Sequence, residues 1–220
     1  MSEMSCVRLN RSTWLILVVL ASLIAWHGKA AELGGAFSKD RERGATLARD
    51  YFPPPVFADL TDYDEWVKAF AALHLSQMNE PVLLREKAIN FALRVTWMSS
   101  FQGDAVLRIE RKDSGEVLSV FKRYPPGSDP NTIAAMPAAT AERMITGEGF
   151  ARLLDKVRDV DFFSLDNKQT TISSDGVECI VEVYDHGRYH AVYRTGYSNP
   201  VRDVARLSAS IAQVTADVMN

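Results

Sequence analysis

The hydrophobic positions of this chain first form an unbroken run and only later become periodic. The 13 residues that begin at Trp14 carry no charge, Arg8 and Arg11 precede them, and the small residues Gly28, Ala30 and Ala31 follow. As a helix this run would span about 20 Å, less than the ~30 Å hydrocarbon core of a bilayer. Basic residues, an apolar run and small residues in this order are typical of a secretory signal peptide. We therefore expect residues 1–30 to be a cleaved signal peptide or, as the alternative, a short membrane anchor.

A charged and then proline-rich stretch separates this run from the first periodic pattern. Residues 31–58 carry dense mixed charge and three consecutive prolines at 53–55, with little apolar periodicity. Consecutive prolines impose an extended backbone, and dense charge disfavours burial. The sequence therefore predicts a tether over residues 31–58 and a single globular domain over residues 59–220.

Within this domain, hydrophobic residues recur at helical spacing in some segments and alternate in others. The predicted helices lie at about 62–76, 147–160 and from Asn199-Pro200 to Val218. The predicted strands lie at about 91–97, 106–111, 117–124, 178–184 and 189–195. This order predicts an α+β fold, in which a three-strand meander and a C-terminal hairpin form an antiparallel sheet of about five strands. We expect the helices to pack on one face of that sheet.

Composition narrows the choice of partners. Removal of residues 1–30 would take three of the 25 basic and one of the 28 acidic residues, leaving 22 against 27 and a net charge of −5. A mildly acidic domain is poorly suited to phosphate backbones, so we expect no nucleic-acid partner. Contact with a membrane is expected through residues 14–26 only if the signal is uncleaved. The domain is expected in the periplasm, or anchored to the inner membrane on its outer side.

Cysteine usage has a further consequence for the exported domain. Removal of residues 1–30 leaves Cys179 as the only cysteine, so no disulfide can form within the chain. The domain must then rely on its hydrophobic core although its destination is oxidising. Because Cys179 lies inside an apolar run, we interpret it as a small buried hydrophobe rather than a reactive nucleophile.

The predicted C-terminal hairpin carries most of the candidate chemistry. Glu182 and His190 could act as an acid–base pair if they share a face of the sheet. A two- or four-residue turn would place His190 with Val181 and Val183, whereas a three-residue turn would place it with Glu182. Other polar residues of this region are candidates for ligand binding: Arg94, Asp175, Arg188, Tyr189 and Arg194. The alternative, which we favour, is that these side chains form cross-strand ion pairs that fix the register without any reaction.

Motifs that would fix a reaction are missing from the sequence. It contains no GxSxG, HExxH or CxxC motif and no Walker-type glycine loop. His186 and His190 are four residues apart across a predicted bend, and no third or fourth ligand accompanies them. We therefore expect neither a metal nor a cofactor.

One pattern in this region is similar to that of a known family. Its residues follow the order Asp-Gly, Glu, Gly-x-Tyr-His and Arg, at Asp175, Gly176, Glu182, Gly187, Tyr189, His190 and Arg194. With the upstream strand from Leu93 to Trp97, the pattern resembles a family of uncharacterised bacterial proteins over about residues 80–207. Cys179 stands where that family has tryptophan. The resemblance implies a shared fold and supports the choice of candidate residues, and it carries no activity over to this chain.

These observations lead to three functional hypotheses. The first is a non-catalytic exported module that binds a protein or ligand of the cell envelope, which suits a targeting segment followed by a tether. The alternative is a hydrolase-like enzyme that uses Glu182 and His190, with Arg94 or Arg194 holding an anionic substrate. The third is an assembly protein whose C-terminal helix docks on another subunit through Val204 and Leu207.

Overall fold

The computed structural model describes residues 41–53, 62–86, 88–98, 104–124, 139–167, 178–195 and 199–214. The predicted signal segment, the prolines at 54 and 55 and the candidate residue Asp175 lie outside these ranges. Residues Arg41–Asn220 form one compact unit.

Six antiparallel strands form a single sheet in the order β4-β3-β2-β1-β5-β6. The strands are β1 (Ile89–Met98), β2 (Ala105–Lys112), β3 (Val117–Arg123), β4 (Ala139–Met144), β5 (Glu178–Asp185) and β6 (Arg188–Arg194). The predicted meander is β1 to β3, and the predicted hairpin is β5 and β6. Pairing of β1 with β5 joins the meander to the hairpin and places β1 inside the sheet.

Four α-helices accompany this sheet within the described residues. They are α1 (41–51), α2 (Asp62–Gln77), α3 (Gly147–Asp159) and α4 (Pro200–Ile211). The side chain of Thr146 accepts a hydrogen bond from Gly149 N at the start of α3, and that of Asn199 accepts one from Arg202 N at the start of α4. Such caps satisfy backbone donors that lack partners within the helix. The prediction of an α+β fold is confirmed.

The larger hydrophobic core lies between the sheet and the helices α3 and α4. From Phe91 onward, the odd-numbered residues of β1, among them Leu93 and Val95, point into this core, which also contains Leu153 of α3 and Val204 of α4. The alternation along β1 and the apolar stripes of the two helices therefore have a common cause, which is burial of one sheet face. We call this side of the sheet the α3/α4 face.

A second core lies on the opposite side of the sheet. Met98, Val106 and Ile180 project from the strands and cluster with residues of α1 and α2 such as Tyr51 and Leu75. The helices therefore cover both faces rather than the single face that was predicted. This second side is the α1/α2 face.

The predicted tether is wrong for the residues of α1 and those that follow directly. Ala48, Tyr51 and Phe52 are buried, and they belong to the core on the α1/α2 face. The charges that suggested a tether are carried by exposed residues of the same helix, such as Arg41 and Arg43. The compact domain thus begins before residue 59.

One strand was not predicted from the sequence. All six residues of β4 are exposed, and their sequence, Ala-Thr-Ala-Glu-Arg-Met, lacks a buried face. β4 pairs with β3 at the edge of the sheet, with Phe121 opposite Ala141. The strand β4 is therefore defined by its backbone pairing alone, because its sequence shows no apolar alternation.

Candidate functional site

The turn between β5 and β6 decides where the candidate residues point. Asp185 pairs with Arg188, and the two residues between them, His186 and Gly187, have φ angles of 47° and 86°. Two central residues with positive φ form a type I′ turn, whose twist matches that of a hairpin. The connection is therefore the two-residue turn, and the register of the hairpin follows from it.

This register separates Glu182 from His190. His190 lies opposite Val183, and Glu182 lies opposite Ala191. Adjacent positions along a strand point to opposite faces of the sheet, so Glu182 is on the α1/α2 face and His190 is on the α3/α4 face. The hypothesis that they form an acid–base pair is wrong.

Glu182 instead pairs with Arg94, which lies directly across from it on β1. The guanidinium donates through Nε to Oε2 and through its second terminal nitrogen to Oε1 of Glu182, both at 2.6 Å. Both residues are 0% exposed. A bidentate pair of this kind is the strongest form of charge-assisted hydrogen bond between side chains.

Backbone and tyrosine groups complete the surroundings of this pair. Arg94 also donates to the carbonyl oxygen of Pro81 at 2.6 Å, and the Tyr189 hydroxyl donates to Oε1 of Glu182 at 2.8 Å. Burial alone would lower the pKa of Arg94. The negative charge of Glu182 and the hydrogen bonds between the two side chains outweigh the effect of burial, so the pKa of Arg94 is raised. Burial, together with the charge of Glu182, raises the pKa of Tyr189 well above its ordinary value. Arg94 is therefore charged, and Tyr189 is a neutral hydrogen-bond donor.

A second buried carboxylate, that of Glu80, extends the charged region along the α1/α2 face. Its oxygens lie 3.0 Å from Arg108 Nε and 2.7 Å from Lys122 Nζ. Arg108 also pairs with Glu110. We use the name ion network for the six residues Arg94, Glu182, Glu80, Arg108, Glu110 and Lys122. It contains three cations and three anions, so its formal charge balances within the protein.

Sequence reasoning missed four members of the ion network: Glu80, Arg108, Glu110 and Lys122. The available signal was the alternation within β2 and β3, where charged residues occupy the positions between apolar ones. Alternation assigns such charges to solvent, whereas here they are covered by α1, α2 and the segment that follows α2. Because the ion network is buried and paired, it can stabilise the fold but offers no free reacting group in the described chain.

His190 and Arg194 have structural contacts on the opposite face. His190 Nε2 lies 2.8 Å from the carbonyl oxygen of Leu165, and its ring lies edge-on to Phe162. Burial lowers the pKa of His190, although the hydrogen bond to Leu165 opposes this, so the neutral form with hydrogen on Nε2 is favoured. Arg194 donates to the carbonyl oxygens of Tyr193 and Asp166, each at 2.8 Å. Both residues thus tie β6 to the segment after α3.

An open cavity of about 320 Å³ lies at one end of the α3/α4 face. Its floor is a row of residues that pair across four strands: Arg111 (β2), Phe91 (β1), Asp185 (β5) and Arg188 (β6). Its apolar walls are completed by Leu154, Val157, Phe162 and Phe163. The remaining polar lining comes from Arg158, Asp161 and His186.

The remaining candidate residues within the described ranges divide into two groups. Arg94 and Tyr189 join Glu182 in the buried contacts of the α1/α2 face. Arg188 alone among the candidates for ligand binding lines the cavity, whose other arginines, Arg111 and Arg158, the sequence did not single out. The signal for Arg111 was its position at the end of an alternating strand, which by itself indicates no site.

In the described part of the chain, no group of three or more His, Cys, Asp or Glu residues could hold a metal ion. No helix there is long and apolar enough to cross a membrane. Cys179 is buried, and burial raises the pKa of its thiol to about 12, which keeps the sulfur protonated and unreactive.

Comparison with known proteins adds no family to this description. No protein-family model matches the chain, and no curated protein matches it significantly.

Proposed function

We propose that this chain is an exported or membrane-anchored envelope protein whose domain binds a small ligand in the cavity at the end of the α3/α4 face, without catalysing a reaction. The observation that carries the proposal is the cavity itself. Its volume of about 320 Å³ lies in the range of small-molecule sites, which are about 300–1,000 Å³. Apolar walls with a few polar groups are also typical of such sites.

The distribution of charge supports binding at this cavity rather than at the ion network. Arg94 and Glu182 are fully buried and satisfy each other, so a ligand would have to break that pair to reach either residue. The cavity in contrast opens to solvent, and the exposed side chain of Arg188 forms part of its rim. Ligand entry there requires no rearrangement of the core.

The binding proposal is tested by a ligand screen on the full chain, purified in detergent, with two variants. Leu154→Trp fills the cavity from its wall, and Arg152→Trp adds the same side chain at an exposed position of α3 outside the cavity lining. We expect to find compounds that bind the wild type and Arg152→Trp with equal affinity. The same compounds should bind Leu154→Trp at least about tenfold more weakly. Absence of any binding to the wild type, equal binding to all three proteins, or turnover of a bound compound would overturn the proposal.

The proposed location has separate support and a separate test. It rests on the charge-free run from Trp14 that follows Arg8 and Arg11. A reporter enzyme that is active only outside the cytoplasm, fused after Asn220, should be active in cells. An otherwise identical fusion with two leucines of the run replaced by arginine should be inactive, since charges in the apolar run prevent insertion. Equal activity of the two fusions would contradict export through this segment.

A further inference from the structure

We infer that the cavity selects small organic anions that combine a carboxylate with an apolar body, such as aryl-substituted carboxylates. This inference rests on the proposed function, because it specifies the ligand of the same cavity. Its basis is the pair of arginines at the two ends of the cavity floor, Arg111 and Arg188.

Both guanidinium groups are held in place by aromatic rings. The Cζ atom of Arg188 lies 3.7 Å from the ring centroid of Phe163, and that of Arg111 lies 5.3 Å from the centroid of Phe150. Such contacts use the flat face of the guanidinium and leave the N–H groups at its edge available. The two cations are thus positioned without using their hydrogen-bond donors.

Neither of these two guanidinium groups has an anionic partner within the described ranges. Arg188 lies across from Asp185, but the Oδ1 atom of Asp185 contacts His186 Nδ1 at 2.6 Å instead. The third arginine of the cavity, Arg158, pairs with Asp155 at 2.8 Å. Two cations therefore remain for a ligand, and the planar fork of a guanidinium matches a carboxylate through two parallel hydrogen bonds.

Formal charge by itself does not distinguish the cavity. Three arginines and two aspartates, Asp161 and Asp185, line it, but Arg158 is paired with Asp155, so the remaining two cations equal the two aspartates in number. The preference for an anion therefore rests on the two guanidinium groups that have no anionic partner in the described ranges, and not on a net charge of the lining.

The walls define the rest of the ligand. Leu154 and Phe163, which are half-buried, present aliphatic and aromatic surface, and the buried side chains of Phe91, Val157 and Phe162 complete the apolar lining. A small inorganic anion would leave this surface in contact with water, whereas an apolar group attached to the carboxylate would cover it. The complementary ligand is therefore amphipathic.

A matched series of three probes tests the charge preference by isothermal titration calorimetry on the full chain. The probes are 3-phenylpropionate, the neutral 3-phenylpropionamide and the cationic 3-phenylpropylamine. We expect the carboxylate to bind about tenfold or more tightly than the amide, since only it forms charge-assisted hydrogen bonds with arginine. The amine should bind most weakly.

Variants assign this preference to particular side chains. The two arginines are three strand spacings of about 4.8 Å apart along the floor, so one carboxylate pairs with one of them. The corresponding variant, Arg111→Gln or Arg188→Gln, should weaken binding of the carboxylate about tenfold and leave that of the amide unchanged. Arg152→Gln, an exposed arginine of α3 outside the cavity lining, should change neither. Unchanged amide binding also shows that a variant is folded.

The outcomes separate this inference from the proposed function. Equal binding of the acid and the amide, or tightest binding of the amine, overturns the anion preference but leaves a binding cavity. If neither the probes nor the screen give a compound sensitive to Leu154→Trp, both the inference and the proposed function are wrong.

Discussion

Arg94 lies in the middle of β1, fully buried, so its charge must be balanced inside the protein. When one member of a buried ion pair is removed, the other is left without compensation, at a cost of about 3–5 kcal/mol. We therefore expect Arg94→Met and Glu182→Leu each to lower the free energy of unfolding by about this amount. Urea denaturation of the full chain measures the change.

The double variant distinguishes a structural pair from two independent contributions. Arg94→Met with Glu182→Leu leaves no unpaired charge between these two positions, so its loss of stability should be smaller than the sum of the two single losses. Strictly additive losses would show that the two side chains do not depend on each other, contrary to the bidentate contact.

His190 gives a prediction for the pH dependence of stability. Because burial lowers the pKa of His190 below its ordinary value of 6.5, the unfolded chain takes up a proton at a higher pH than the folded chain does. The contribution of neutral His190 is thus fully present above pH 6.5 and is lost as the pH falls through the folded-state pKa. His190→Gln should lose less stability than the wild type between about pH 7.5 and about pH 5.5.

Two measurements check this prediction. Urea denaturation at both pH values gives the loss for the wild type and for His190→Gln, and a proton NMR titration reports the pKa of the imidazole directly. An imidazole that titrates at or above pH 6.5, with the same pH dependence in both proteins, would contradict the structural role of His190.

Arg94 also shows why the ion network could not be predicted from the sequence. The alternation along β1 identifies Arg94 as lying on the face opposite to Leu93, and such a position usually faces solvent. Its partner Glu182 is 88 residues away along the chain, and no local pattern links the two. Both residues were candidates for ligand binding or catalysis, whereas the structure pairs them with each other in the core, where the interaction stabilises the fold.

At the scale of elements, α1 provides a sharp test because a glycine sets its distance from α2. A Cβ atom built on Gly44 would lie 2.5 Å from the carbonyl oxygen of Ala69 in α2. Alanine favours an isolated helix by about 1 kcal/mol over glycine, yet here the clash should dominate. We expect Gly44→Ala to lower the free energy of unfolding by about 1–3 kcal/mol.

The matched control for this substitution is Gly147→Ala at the start of α3. A Cβ atom on Gly147 would meet nothing within 4 Å, so the free energy of unfolding should stay the same or rise slightly. If Gly44→Ala raised the stability measured by urea denaturation, α1 would not pack against α2 as the structure shows.

Elements with a regular apolar pattern could be predicted, and those without one could not. The five strands of the meander and the C-terminal hairpin follow from alternation, and α3 follows from its cap and apolar stripe. The helix α1 was missed because exposed arginines and glutamate dominate its sequence, while only a few positions such as Ala48 and Tyr51 are buried. The face on which His190 lies could not be predicted, since it depends on whether the turn has two or three residues.

On the scale of the whole molecule, the two faces of the sheet have different roles. The α1/α2 face contains the ion network, in which buried charges compensate one another. The α3/α4 face contains the larger core and, at its end, the open cavity with Arg111 and Arg188. We therefore propose that contact with other molecules takes place at the cavity and that the buried charges stabilise the sheet.

Mapping of ligand contacts by NMR tests this assignment most directly. Backbone amide shifts of the isotope-labelled full chain would be followed as 3-phenylpropionate is added. We expect the largest changes at the cavity, at Arg111, Phe163 and Arg188, while amides around Arg94 and Glu182 stay unchanged. Changes concentrated around Arg94 and Glu182, or no changes anywhere, would contradict it.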